Sequence, residues 1–482
     1  MGLIIIGAGI AGLTAGIYAR LKGIDTQIIE MHSIPGGNCT SWKRGGYTFE
    51  GGMHWLTGSS AKTPLHKIWL DTGAINAGTK FFARDPFITA GSGSDAVSLY
   101  RDIERLKEHL LGVSPEDASL IGRLCTDIKH FTFISAPVDG FPPRAIWEVV
   151  KSLPSFAWLS THSVPEYTAR FKNPAIRLAL NNVVGPGFSA LSLLFTLGCF
   201  ASGDGLYPEG GSIEMVRRMA ERFTSLGGKI RYNCRADQVL LDTAAGSTQA
   251  WGIRSGDELI QADAVLVTSD MRQAIDSLFA QPLGKETGDA WADKLRSRLR
   301  PVVSTFISLG LKTGLAHLPD KVAFYLKEPF EYAGKKIESL FFNNYASYPG
   351  YAPGIPGAAS SITISISGDT WAYWNKCQTN GSYAEKKQEL ADKVIKALYA
   401  AFPEMAGTAE VQDVATPQSY ERYCGTWHGS WMTIWEAGKG QARYPLKSPS
   451  IENLFFAGQR LRTPGGLPIA AATGYQVAEL FK

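Results

Sequence analysis

Leu3-Ile4-Ile5-Ile6-Gly7-Ala8-Gly9-Ile10-Ala11-Gly12 stands almost at the start of the 482-residue chain. The four apolar residues, three of them β-branched, read as a strand buried on both faces of a parallel sheet. Leu13-Thr14-Ala15-Gly16-Ile17-Tyr18-Ala19-Arg20-Leu21 follows with helical spacing, and Gly23 suits the helix C-terminus. Thr26-Gln27-Ile28-Ile29-Glu30 then reads as a second strand ending in an acid. Strand, G-x-G-x-x-G, helix, strand and Glu, in that order, make a dinucleotide-binding βαβ unit. Gly7 permits the tight turn, Gly9 leaves room for a pyrophosphate, and Gly12 lets the helix pack closely on the strand. The helix N-terminus at Ile10 and Ala11 offers unpaired N–H groups to phosphates. Glu30 is placed to accept hydrogen bonds from ribose hydroxyls, which disfavours a phosphorylated ribose.

Composition bounds the rest. Lys and Arg number 48 against 44 Asp and Glu, a net charge of +4. That balance excludes a polybasic nucleic-acid binder and an acidic disordered tail. With 19% charged and 45% apolar residues the chain can bury a large core, and its length predicts two or three packed regions. Its 51 glycines follow no Gly-X-Y period, so either many tight turns or backbone packed against a large ligand accounts for them. Cys39, Cys125, Cys199, Cys234, Cys377 and Cys424 form no C-x-x-C pair. Reduced, buried thiols in a cytosolic protein are expected, not a disulfide scaffold. The eight histidines show no ligand spacing, so no metal site is expected. No apolar run reaches the ~20 residues of a membrane span; the longest is 188–201. No leader pattern precedes the first motif, and Ile6 breaks the myristoylation pattern. The expected location is cytoplasmic.

Downstream of Glu30 comes Met31-His32-Ser33-Ile34-Pro35-Gly36-Gly37-Asn38. An acid followed by a Gly-Gly pair resembles the flavoprotein family of amine oxidases and phytoene desaturases. Asn38 stands where amine oxidases commonly carry Arg, which weakens an amine-oxidase reading. Gly45-Gly46-Tyr47-Thr48-Phe49-Glu50-Gly51-Gly52-Met53-His54-Trp55-Leu56-Thr57-Gly58 resembles the segment of carotenoid desaturases, carotenoid isomerases and retinol saturases that passes near the isoalloxazine. Tyr207-Pro208-Glu209-Gly210-Gly211-Ser212 is similar to their "YPxGG" turn before a helix. The region 236–240 resembles the strand over the adenine, which implies a backbone contact at Val239. The strand 262–270, ending Thr268-Ser269-Asp270, is similar to the one returning beneath the cofactor. Glu452-Asn453-Leu454-Phe455-Phe456-Ala457-Gly458-Gln459 and Pro464-Gly465-Gly466-Leu467-Pro468 resemble the closing motif that holds the flavin ribityl chain and pyrimidine edge.

This resemblance implies an α/β fold: a Rossmann-like (GR2-type) FAD-binding domain with a parallel sheet, plus an α+β substrate domain with a mixed sheet and a helical insert. The FAD domain is expected from 1–75, 205–275 and 445–482. The substrate domain is expected from 76–204, helical and aromatic-rich, and 276–444, the sheet part. FAD is expected to be held without a covalent bond by Gly7, Gly9, Ile10, Ala11, Gly12, Glu30, Met31, Gly36, Gly37, Asn38, Gly52, Met53, His54, Trp55, Val239, Ser269, Gly458, Gln459, Gly466, Leu467 and Pro468. The implied reaction is desaturation, saturation or isomerisation of C–C and C=C bonds in a hydrophobic, polyene or isoprenoid-like substrate, by hydride transfer with flavin N5. A flavin-dependent oxidase of amines or small molecules is the alternative, and a lipid carrier without turnover is the rival from another class. The electron partner is left open.

Such sites need few acids or bases. The polar candidates are His54 and Glu50 near the flavin face and His428, which takes the place of a Tyr in relatives. Each histidine is read either as catalytic or as a packed core residue. The aromatics Trp147, Phe156, Trp158 and those of 188–200 are read as core, as a tunnel lining, or as a peripheral membrane contact at 131–204. Residues 99–131 read as helical with a break near Pro115, and 384–402 as an amphipathic helix. Ser361-Ile362-Thr363-Ile364-Ser365-Ile366-Ser367 alternates strictly, predicting a strand with one buried face.

Overall fold

A computed structural model describes residues 2–91, 95–132, 155–244 and 247–481. The first strand, Gly2–Ile6, is the centre of a five-stranded parallel sheet ordered Leu454–Phe456, Ala264–Val267, Gly2–Ile6, Asp25–Ile29, Lys229–Arg231. Ile6 pairs with Val267 on one side and Ile29 on the other, so the apolar run is buried on both faces. The helix Ile10–Leu21 packs between this sheet and the final helix, Gly466–Ala478. Small residues permit that contact: a Cβ on Gly474 would lie 2.6 Å from the Ala11 carbonyl oxygen. A smaller sheet of Gln238–Ala244, Ser247–Ser255, Glu258–Gln261 and Ile451–Glu452 lies beside it.

A second, seven-stranded sheet runs Ala409–Ala415, Ser304–Leu311, Ser360–Ser367, Lys335–Asn344, Lys321–Tyr332, Ile88–Ala90, Val97–Leu99. It is mixed, because Lys321–Tyr332 pairs in parallel with Ile88–Ala90. The expected single buried face of the 361–367 strand is corrected: seven of the eight residues in Ser360–Ser367 are buried. Ile362, Ile364 and Ile366 pack in a cluster with Trp374, Leu390 and Val394 from the helices Trp371–Thr379 and Tyr383–Ala401. The opposite face is buried too, because its hydroxyls find partners: Ser361 Oγ donates to the Thr48 carbonyl at 2.7 Å, and Thr363 pairs with Ser308.

The break near Pro115 is a single 3₁₀ turn, Pro115–Asp117, between Ile103–Val113 and Ala118–Phe131, whereas Leu99 belongs to a strand. With Pro174–Val184 and Ala190–Ala201 these helices form one apolar cluster. Within 155–204 none of the exposed large hydrophobic side chains of the protein is found, and Trp158 stacks on His162 at 3.9 Å. The rest of the aromatic stretch, Phe133, Phe141 and Trp147 included, lies outside the described residues. Among the described residues no helix is long and apolar enough to cross a membrane.

Candidate functional site: a glycine cradle opening into a deep cavity

One cavity of 1490 Å³ runs from the C-terminal ends of the parallel strands into the mixed sheet. That exceeds the ~300–1,000 Å³ of ordinary ligand pockets, enough for a dinucleotide with a second ligand beyond it. Two helix N-termini open onto it. Gly9 precedes Ile10–Leu21 and Gly465 precedes Gly466–Ala478; neither helix start has a side-chain cap or an acid in its first turn. Their N–H groups and dipoles therefore face the cavity rather than a capping side chain. Among the described residues the only atom within 4 Å of a Cβ built on Gly9, its chain neighbours and own helix aside, is the Gly36 carbonyl oxygen, at 3.8 Å, so this glycine leaves its space to the cavity. Gly12 differs: a Cβ there would collide with the Gly7 carbonyl oxygen and lie 2.8 Å from Thr268 Oγ1. Gly12 serves the helix-on-strand contact and is not on the cavity wall.

Glu30 ends the second strand, buried, with Oε2 accepting from Ala8 N–H at 2.7 Å and Oε1 from His32 N–H at 2.8 Å. Burial raises its pKa against those two bonds. A carboxylate has lone pairs left for ribose hydroxyls after two backbone bonds. Gly36 and Gly37, both at positive φ, fold the next loop over the first turn, with Gly36 N–H donating to Ala8 O at 2.9 Å. Met31, Asn38, Gly52, Met53, His54, Trp55, Ser269, Gly458, Gln459, Gly466, Leu467 and Pro468 line the same cavity as Gly7, Gly9, Ile10 and Ala11. Gln459 ties the closing loop together: its Nε2 donates to Trp431 O at 3.0 Å, and its Oε1 accepts from Gly466 N–H at 3.1 Å.

Besides Gly12, two expected site residues are corrected. Val239 is buried in the core, 1% exposed, and its N–H donates to Leu278 O at 2.8 Å. The residues of that stretch on the cavity wall are Arg235 and Ala236, so the turn before the strand, not the strand, faces the cavity. His428 is off the cavity. It sits at φ 51 with its ring stacked between Trp371 and Trp427, at 4.0 and 3.9 Å. The aromatic that segment does bring to the cavity is Trp431, edge-on to His54 at 5.8 Å. Glu50 is also off the wall. It is 3% exposed and accepts from Tyr207 OH at 2.6 Å, Tyr351 OH at 3.2 Å, Ser212 Oγ at 2.5 Å and the Ser212 N–H at 3.2 Å.

His54 lies on the wall with Nδ1 buried and without a hydrogen-bond partner among the described residues. Burial, with Lys321 and Arg84 nearby, pushes its imidazole down to about 3, so the ring is neutral. Beyond His54 the cavity continues between the helices Pro174–Val184 and Ala190–Ala201 and the mixed sheet. Val183, Phe188, Phe195, Phe341 and Trp435 line that part, with Lys321, Ser339 and Ser365. Arg460 and Asp270, each one residue from an expected contact, were not singled out by the sequence. Both are cavity-lining and form a buried ion pair. Among the described residues no group of His, Cys, Asp and Glu is arranged to hold a metal.

The cradle, with two uncapped helix starts, a ribose-facing carboxylate and Cβ-free space at Gly9, fits a flavin dinucleotide, and together with the fold defines an FAD-type oxidoreductase. The chain belongs to the family described as flavin containing amine oxidoreductase, which it matches over residues 10–480. Its cofactor is FAD. It is 26% identical to phytoene desaturase (neurosporene-forming) of Rhodobacter capsulatus over 279 residues, 55% of this chain and 52% of that one. It is 22% identical to all-trans-retinol 13,14-reductase of Danio rerio over 512 residues, 96% and 83% of the two chains. The chain thus spans about half the length of the first of these relatives and most of the second. A crystal structure of an oxidoreductase from Methanosarcina mazei superposes with TM-score 0.62 at 16% identity, covering 99% of this chain and 100% of the other, a likeness of fold.

Proposed function

We propose that this protein uses non-covalently held FAD to desaturate, saturate or isomerise C–C and C=C bonds of a hydrophobic, polyene or isoprenoid-like molecule. The observation that supports this most is the shape and charge of the cavity beyond the glycine cradle. It is long, walled by Phe188, Phe195, Phe341 and Trp435, and bears the cation Lys321 where an amine oxidase would have to admit a protonated amine. Relatives named for phytoene and retinol point the same way.

The flavin supplies a hydride acceptor or donor at its ring. The chain's own work is positional. Gly9, Gly36 and the two helix starts take the dinucleotide; Gln459 and Arg460 hold the loop carrying Trp431; Trp431, Trp55 and neutral His54 shape the face over which a substrate carbon lies. Apolar walls exclude water, which suits a transfer needing no general base. In this proposal the FAD domain comprises 1–75, 205–275 and 445–482, and the substrate domain 76–204 and 276–444.

The test is anaerobic. Purified protein is mixed with polyenes of graded length, then with primary amines, while flavin absorbance is followed. Bleaching of oxidised flavin by a polyene, or re-oxidation of dithionite-reduced flavin by one, is expected. Bleaching by amines with stoichiometric peroxide in air, and no response to any polyene, overturns the proposal.

A further inference from the structure

The inner end of the cavity carries polar groups that a pure hydrocarbon leaves unused. Lys321 opens the strand Lys321–Tyr332 and is only 9% exposed, yet it lies on the cavity wall. Its Nζ donates to the Asn182 carbonyl at 2.6 Å and stands 4.4 Å from the centre of the Phe341 ring. An ammonium has three donors. The charge that bears on it is another cation, Arg84. A side chamber of 20 Å³ shares His54 and Lys321 with the main cavity and adds Arg84, Arg101 and Asn343. Of the residues lining it, Arg84 Nη2, His54 Nδ1 and Asn343 Oδ1 are buried without a hydrogen-bond partner among the described residues. The nearby acids are engaged: Asp320 accepts from Tyr348 OH at 2.6 Å and pairs with Arg84 Nε at 3.7 Å, and Asp204 accepts from the N–H groups of Gly58 and Ser60 at 2.8 and 2.9 Å, so neither acid is left for Lys321.

A buried cation with unspent donors is costly unless a ligand supplies the missing acceptor. We propose that the substrate is an amphiphile whose terminal carboxylate docks on Lys321 Nζ, its apolar chain running back along Phe188 and Phe195 toward the flavin cradle. The side chamber has room for about one water-sized group, which suits a carboxylate oxygen and not a phosphate headgroup. Burial, with the Arg84 cation nearby, presses the Lys321 ammonium down to about 7, and an anion beside it holds the charge in place. This inference rests on the reading of the cavity as a site for C–C bond chemistry.

The test uses the FAD-loaded protein and three probes with one C20 polyene chain: the carboxylic acid, the alcohol and the hydrocarbon. Binding is read from the perturbed flavin spectrum. The acid is expected to bind about 10- to 100-fold more tightly than the hydrocarbon, the span of a charge-assisted hydrogen bond. Lys321→Met is expected to bring acid and hydrocarbon within about threefold, and Lys321→Arg to keep the preference. Flavin content and the unfolding midpoint of each variant identify a misfolded one, in which case Lys321→Arg against wild type decides. Equal affinities in the wild type, with the hydrocarbon still exchanging electrons with the flavin, overturn this inference and leave the C–C reading standing. A preference that survives Lys321→Met also overturns it. Failure of all three probes to bind overturns both.

Discussion

The Asp270 carboxylate accepts two hydrogen bonds from the Arg460 guanidinium, at 2.8 and 3.1 Å, with the two side chains 2% and 1% exposed. The pair joins distant segments. Asp270 also caps the helix Met271–Ser277, while Arg460 also bonds Ser430, Met432 O and Thr433 Oγ1. Arg460 thereby anchors the loop carrying Trp431 to the parallel-sheet unit. Breaking one partner of such a buried pair leaves an uncompensated charge. Asp270→Ala or Arg460→Met is expected to cost about 3–5 kcal/mol, read as a lower urea midpoint, together with reduced FAD retention on gel filtration. An unchanged midpoint would remove the anchoring role.

Two glycines separate ligand space from packing space. Gly9→Val is expected to leave a folded, colourless apoprotein, because a side chain there enters the cavity alone. Gly12→Ala is expected to lower stability by about 1–3 kcal/mol, as overpacking does, since its Cβ meets the Gly7 carbonyl. Absorbance near the flavin bands and far-ultraviolet circular dichroism distinguish the outcomes. A yellow Gly9→Val protein would displace the dinucleotide from this turn.

His54 and Lys321 make opposite ends of the pH range informative. His54 titrates at about 3 folded against 6.5 unfolded. The unfolded chain therefore binds the extra proton between those values, and stability falls as pH drops from 6.5 toward 3. Lys321 titrates at about 7 folded against 10.5 unfolded. Again the unfolded chain holds the proton in that window, so stability rises as pH increases from 7 to 10.5. Urea midpoints of His54→Gln are expected to decline less than wild type below pH 6.5, and those of Lys321→Met to rise less above pH 7. Parallel curves for variant and wild type would refute each.

Glu50 is assigned to scaffolding by its surroundings. The hydroxyls of Tyr207, Tyr351 and Ser212 all point at its carboxylate, and removing it takes the acceptor from Ser212 Oγ and the Ser212 N–H and leaves Tyr207 and Tyr351 only their bond to each other. Glu50→Ala is expected to lose about 1–3 kcal/mol while the flavin spectrum of the folded fraction stays as in wild type. A shifted flavin spectrum at unchanged stability would return Glu50 to the flavin face.

The sequence by itself determined the cradle. Strand, turn, helix and second strand are contiguous, and each glycine's role follows from local backbone geometry: Gly36 folds back on Ala8, and Glu30 reaches Ala8 N–H, within a short span of chain. The alternation of 361–367 likewise announced a strand, but not that Ser361 and Thr363 would be buried with their hydroxyls satisfied. Val239 was misplaced by three residues because a strand's register shows only in its pairing, here with Ile253. The two readings of His428 stayed open because a polar ring near a family motif reads alike whether it faces a cavity or, as it does, stacks between Trp371 and Trp427. What only the tertiary structure decided is the far end of the site. Lys321, Arg84, Asn343 and Trp431 come from separate elements with no shared pattern, and none is marked by spacing or periodicity. Their meaning lies in burial, a property that exists only once the mixed sheet closes over the helices and turns an ordinary lysine into a desolvated cation on a cavity wall.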